Sequence, residues 1–369
     1  MPGIPENITI AGRTPATIKG NLPPLIDTAP AARGGFRAGD STTATLLFSE
    51  NFDSQPEHSS FNTLATSGVT NWDYQRSGAN VFSANPPYRI TGNIAAALKD
   101  GTGKSCVGYR ESHAQYPVGA SNNFNSDGIL VKILDVPQEK LFVRFWIKFQ
   151  PGWSAGGQSK LFRISSWRGD GTPDSVFAFG TQASDTHGPL LFWDYGQGDY
   201  GVRNFLALRA DPNTSNYFMG SPSPQNLPRS MVSGDLSCNF QSNVTDLNND
   251  GTNSNPPYLS LVDGNPVPGI ASHDQIYGDQ WNKVEFYVAM NSGAGVADGV
   301  MKQWLNDTLV FSNETMPWMG TDSDGGKLWN WVSLGGNDKW EYYPNEDEIE
   351  EWYAIKDVDI YSDLPGDMA

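Results

Sequence analysis

Cysteine is nearly absent from this sequence. Cys106 and Cys238 are the only two in 369 residues. They could pair, but one pair in a chain of this length says little about compartment, and neither cysteine falls in a metal-ligand spacing. Long apolar runs are missing too. Nothing approaches the ~20 consecutive apolar residues that cross a bilayer, so no membrane partner is expected. The first twenty residues, MPGIPENITIAGRTPATIKG, hold no apolar h-region, so no secretory signal is expected. Positive charge is short: 24 Lys and Arg stand against 41 Asp and Glu, a net charge of −17. That balance argues against a general affinity for nucleic acid or an anionic surface. Histidine is scarce, with only His58, His113, His187 and His273 available as general bases. No stretch keeps a helical period beyond one or two turns.

What is abundant is turn formers and aromatics. The chain has 39 glycines, 25 prolines and 12% aromatic residues, a composition that suits many short strands rather than helices. The stretch from Trp281 to Phe311 organises the rest. Val284, Phe286, Val288 and Met290 alternate with Lys283, Glu285 and Tyr287, which predicts a strand buried on one face. A Gly- and Ala-rich connection ending in Asp298-Gly299 leads to a second alternating run, which Asn306-Asp307 divides by a tight turn. Leu141–Gln150 is the other clear strand: Leu141, Val143, Phe145, Ile147 and Phe149 form its core side, and Arg144, Trp146 and Lys148 belong to the opposite side. Further strands are predicted at 45–53, 80–82, 105–109, 160–167, 175–181, 189–195, 205–209 and 350–362.

Two regions differ from this body. Residues 1–45 carry six prolines, six glycines and hardly any acid, with Arg13, Lys19, Arg33 and Arg37. Such a segment cannot order itself alone, so it is expected to be an extended anchoring arm ahead of a body at 46–369. Residues 210–280 lose periodicity and are expected to be a long loop insertion. Within it, Asp246, Asn248, Asp250 and Thr252 follow the Asp-x-Asn-x-Asp-Gly spacing that gathers side-chain oxygens around one small volume. Calcium is the ion expected there, an ion-free Asn/Asp turn the alternative.

The order of elements resembles the concanavalin A-like lectin/glucanase superfamily. The resemblance rests on FVRFWIKF, then Lys160-Leu161-Phe162, then Trp281-Asn282-Lys283-Val284-Glu285, then Asp298-Gly299 leading into Lys302-Gln303-Trp304-Leu305-Asn306-Asp307, and last Tyr353–Val358. Within that group the chain looks most like polysaccharide lyases and their non-catalytic relatives. The resemblance implies an all-β, two-sheet antiparallel jelly-roll sandwich with a groove for a sugar chain. If the chain is a lyase, His113 is the candidate base, with Lys160 and Arg163 as groups that neutralise a uronate carboxylate. The sequence has no Arg-x-Glu-x-Arg, Gln-x-His or Tyr-x-Lys-x-Gly-x-Tyr strand of alginate-type lyases, and no Glu-x-Asp-x-x-Glu carboxylate pair of a glycosidase.

Glycan binding needs only aromatic faces and planar polar groups. Arg144, Trp146, Lys148, Trp193, Tyr195, Lys302 and Trp304 are the residues expected to supply them. With no complete catalytic set, the leading expectation is a non-enzymatic structural or adhesion protein on a bacteriophage virion surface. Its arm would bind other structural proteins of the assembly, and its jelly roll would face a surface glycan. The alternatives are a lyase acting on a uronate glycan and, for location, secretion by a non-classical route.

Overall fold

A computed structural model describes residues 44–55, 71–76, 94–97, 104–111, 124–153, 157–177, 186–198, 201–209, 235–239, 260–262, 265–266, 273–320, 323–339 and 350–368. The chain divides into two units, Met1–Asp40 and Ser41–Ala369, and all of these residues belong to the second. Residues 1–43 of the expected arm, the strand expected at 80–82, and the calcium-loop residues Asp246, Asn248, Asp250 and Thr252 lie outside them.

The strands in chain order are β1 (Leu46–Glu50), β2 (Tyr74–Arg76), β3 (Ile94–Ala97), β4 (Lys104–Glu111), β5 (Phe124–Gln138) and β6 (Lys140–Phe149). They continue with β7 (Gly157–Trp167), β8 (His187–Gly198), β9 (Gly201–Arg209), β10 (Asp235–Asn239), β11 (Ser260–Val262) and β12 (Asn265–Pro266). The last five are β13 (Asn282–Ala289), β14 (Gly299–Leu305), β15 (Thr308–Met316), β16 (Trp329–Lys339) and β17 (Glu350–Tyr361). One sheet has the order β15-β14-β13-β6-β17-β4-β3, with β1 also paired to β17, and the other runs β10-β9-β8-β7-β16-β5-β2. All pairings are antiparallel, so the architecture is a two-sheet jelly-roll sandwich.

The inner surfaces meet in one aromatic core. Phe145 and Phe286 come from the eight-stranded sheet, and Phe162 and Trp193 from the seven-stranded one. Phe162 stacks on Phe286 at 4.6 Å, and Trp193 lies 5.7 Å from the same ring. Val143, Phe145, Val284 and Phe286 are all fully buried, as the alternation predicts. The Asn306-Asp307 turn between β14 and β15 has φ of 48° and 68°, the paired left-handed conformation that tight hairpins favour and Asn and Asp tolerate. Asn306 also accepts a hydrogen bond from the Lys283 amide at 2.9 Å, fixing the turn to β13.

Two expectations are corrected. The strand expected at 175–181 begins instead as a helical turn, Pro173–Val176. Thr172 precedes it and accepts from the Ser175 amide, while Pro173 takes the first helical position; residues 178–181 lie outside the described set. The stretch 210–280 is not wholly irregular. It holds β10, hydrogen-bonded to β9, the small β11–β12 pair and a helical turn at His273–Ile276.

Candidate functional site

The expected glycan stripe lies on the outer face of the eight-stranded sheet, and its chemistry is already used internally. Register places Arg144 opposite Glu285 and Glu285 opposite Trp304. Arg144 Nε donates to Glu285 Oε1 at 2.5 Å, and Arg144 Nη1 lies 2.9 Å from Asp367. Glu285 is completely buried. Burial pushes its carboxyl above the usual range, with Arg144 and Lys283 pulling the other way. Burial alone would lower the Arg144 guanidinium; Glu285 and Asp367 outweigh it and hold it above its ordinary value.

The segment after β17 folds over this face. Leu364 and Met368 pack on Phe142, Tyr287, Trp304 and Tyr361, and Asp363 accepts from Lys140 at 2.8 Å and Tyr287 at 3.0 Å. Trp304 is left 9% exposed. Lys302 pairs with Glu314 at 2.7 Å. Trp146 and Lys148 keep partial exposure. Arg144 and Trp304 are therefore corrected from sugar contacts to parts of a covered, ion-paired face.

Trp193 and Tyr195 need a larger correction. Both are fully buried and point between the sheets. Trp193 packs on Phe145 and Phe286; Tyr195 packs on Phe149 and Tyr277 and bonds His273 Nδ1 at 2.5 Å. The cause is strand parity: Leu191, Trp193 and Tyr195 share one side of β8, and Leu190 and Phe192 take the other.

Lys160 and Arg163 do share a face, the outer face of the seven-stranded sheet. A bulge in β7 makes this possible. The register against β8 shifts between Lys160 and Phe162, so Leu161 and Phe162 both enter the core and the residues on either side point out. Lys160 Nζ sits 5.9 Å from the centre of the Phe192 ring, and register sets Phe192 opposite Arg163. Arg163 is 3% exposed, and its Nη1 donates to Gly335 O at 2.8 Å. Gly336 makes room for this: a Cβ there would come within 2.6 Å of Arg163 Nη1 and of Lys160 O. Gly335 supplies the left-handed turn, φ 76°, that aims its carbonyl. Arg163 is thus a buried positive charge in the floor, and Lys160 is the partly exposed cation above it.

His187 occupies the same face and is structural. Its Nε2 lies 3.0 Å from Val176 O, which can only accept, so Nε2 carries the proton and Nδ1 accepts from the Ser165 hydroxyl at 2.9 Å. The ring meets Trp331 edge-on at 5.0 Å. Burial, chiefly, pushes its pKa down to about 4; the charges of Arg163 and Arg168 act in the same direction. The neutral ring's contribution to stability is complete above the unfolded value of ~6.5. It is lost as pH falls from there through about 4. His187→Asn is expected to flatten the acid limb of a melting-temperature series across that window; an unchanged limb would contradict this assignment.

His113 follows β4, a strand of the other sheet, and lies outside the described residues. His273 is buried on the core side against Tyr195. His187 is a candidate base from the sequence; among the described residues, Phe192, the Ser165 partner of His187 and the Gly335-Gly336 seat of this face were not expected. Phe192 could have been found from the parity of β8 once Leu191 is taken as core. Among the described residues, no cluster of three or more His, Cys, Asp or Glu could hold a metal ion.

No protein-family model matches the chain, and no curated protein matches its sequence. Several solved structures are similar in shape. An alginate lyase from Chlorella virus has a TM-score of 0.48 at 13% identity, covering 86% of this chain and 99% of its own. A mutant alginate lyase solved with an alginate trisaccharide gives 0.44 at 13% identity, covering 85% and 96%. The catalytic domain of a laminarinase from Thermotoga petrophila gives 0.41 at 10% identity, covering 87% and 99%. The expectation of a non-enzymatic virion surface protein is corrected on this finding, since the similar structures are in the main polysaccharide-cleaving enzymes. In this chain the aromatic stripe expected to meet a glycan is partly core and partly covered. At these identities residue roles come from this chain alone, and its own strand order is that of a two-sheet antiparallel jelly-roll sandwich.

Proposed function

We propose that this chain is a polysaccharide lyase acting on an acidic, uronate-containing glycan, with its sugar site on the outer face of the seven-stranded sheet. One observation carries the reading: the partly exposed Lys160 and the buried Arg163 put two cations on a single sheet face, with the Phe192 ring packed 5.9 Å from Lys160 Nζ. Phe192, like Trp304 only 9% exposed, is packed into this face beneath Lys160, and Lys160 is the partly exposed cation that a carboxylate would meet. Arg163 adds field from below, because its fork is turned into β16.

Cleavage by β-elimination removes the proton beside the carboxylate, forms a carbon–carbon double bond and expels the glycosidic oxygen. A cation at the carboxylate stabilises the charge that develops as the proton leaves. His187 is not the base, because its two nitrogens are engaged and its ring stays neutral; His113 follows a strand of the other sheet and is not assigned to this face. The overall charge of −17 opposes a polyanion at long range; a local pair of cations on one face overrides that at contact distance.

Incubation with polymannuronate, polyguluronate and polygalacturonate should produce the ultraviolet absorbance of an unsaturated uronate. Lys160→Ala should lower kcat/KM by about 100-fold or more. Gly336→Ala, which changes no charge, should also slow the reaction by displacing Arg163. Absence of product from all three polymers would overturn the reading.

A further inference from the structure

The open side of the sandwich carries a cleft of about 570 Å³, lined from β1 and β5, with β16 between β5 and the Lys160 strand. It lies where both sheets stop. Among the described residues β1 pairs only with β17, and β5 has no strand partner on its β2 side beyond Val131. Leu47, Phe48 and Ser49 line it from β1, and Lys132 to Val136 and Gln138 line it from β5. The volume falls within the ~300–1,000 Å³ of small-ligand sites.

Its lining has a definite character. Ser49 brings a hydroxyl, Asn71 and Gln138 bring amides, and Asp135 brings a carboxylate, beside the apolar Phe48 and Val136. Val136 is 68% exposed, the highest exposure among the large apolar residues described. Gln138 has its orientation set, because Nε2 donates to Val136 O at 2.6 Å and leaves Oε1 as the acceptor. Asn71 holds a left-handed backbone, φ 71°, at the cleft wall. Lys132 occupies an inward position of β5, between Leu130 and Leu134, which a closed sandwich edge would not tolerate. There its Nζ is 3.1 Å from Asp73 and 5.3 Å from the Phe48 ring centre.

We infer that this cleft binds a neutral oligosaccharide, as a second carbohydrate site distinct from the Lys160 face. Hydroxyl-rich ligands need donors and acceptors close together, and the Ser49, Asn71, Asp135 and Gln138 set supplies both. Charge selects against an acidic sugar: Lys132 is paired with Asp73, and Asp135 would repel a carboxylate. This inference does not depend on the lyase reading, since Lys160, Phe192 and Arg163 are not among the residues that line the cleft.

Calorimetric titration of the intact protein with cellohexaose and laminarihexaose tests it, with hexamannuronate as the acidic comparison. A neutral hexamer should bind, and the double variant Asp135→Ala, Gln138→Ala should raise its Kd at least about tenfold. Asp135 is exposed and Gln138 partly exposed near the end of β5, so the melting temperature and any uronate cleavage should be unchanged. Lys160→Ala should leave neutral binding intact. No binding by either neutral hexamer, or binding that the double variant does not weaken, would overturn the inference. Loss of neutral binding in Lys160→Ala would overturn its independence by assigning the sugar to the other face.

Discussion

Arg144→Leu is expected to destabilise the protein by about 3–5 kcal/mol, because it strands the Glu285 carboxylate where water cannot reach it. Glu285 has no exposure and takes its hydrogen bond from Arg144 Nε; Lys283 Nζ is farther, at 3.6 Å, and already pairs with Asp307. The desolvation cost that Arg144 now offsets would fall wholly on the folded state. Glu285 would protonate to escape it, so the variant's loss should shrink as pH is lowered. The double change Arg144→Leu, Glu285→Leu removes both charges and should recover much of the loss. Denaturant titration of the three proteins at neutral and mildly acidic pH measures this. An Arg144→Leu protein as stable as the parent would mean that Glu285 is not confined as described.

Trp193→Ala should cost a similar ~3–5 kcal/mol, from lost burial and the cavity left behind. Its ring lies 6.3 Å from Phe145 and 5.7 Å from Phe286, at the junction of the two sheets. The two possible roles separate cleanly. A core tryptophan lowers the unfolding midpoint and leaves glycan affinity per folded molecule unchanged. A sugar-stacking tryptophan would do the reverse. The first pattern is expected, since the side chain has no exposure.

The sequence was most legible where one face of a strand is apolar and the other charged. β6, β13 and β14 read correctly for that reason, and so did the Asn306-Asp307 turn. β5 and β16 were not recognised. Ile129, Leu130 and Val131 are consecutive and all buried, and Trp331 and Val332 are both buried. Strands covered on both faces show no period of two. In β16 the Gly335-Gly336 pair also reads as a turn, although it seats Arg163. Parity was the other source of error. The apolar runs of β8 and β7 do not reveal which residues face in, and the bulge at Leu161-Phe162 resets the count within β7. Lys160 and Arg163 were found as cations near a strand, but their aromatic neighbour was not. Neither local pattern nor composition announces that Phe192 lies across from Arg163.

The strand order bears on how the molecule is made. β17 lies between β6 on one side and β4 and β1 on the other, and β16 lies between β7 and β5. Each sheet is therefore divided until a strand from beyond residue 328 arrives to join its halves. During synthesis, several hundred residues leave the ribosome with partners on both sides of an unfilled gap. Pairings of such long sequence separation form slowly. Assembly should then come as one late, concerted event after the ribosome has released the last strands, with little native structure in nascent chains that end before Trp329.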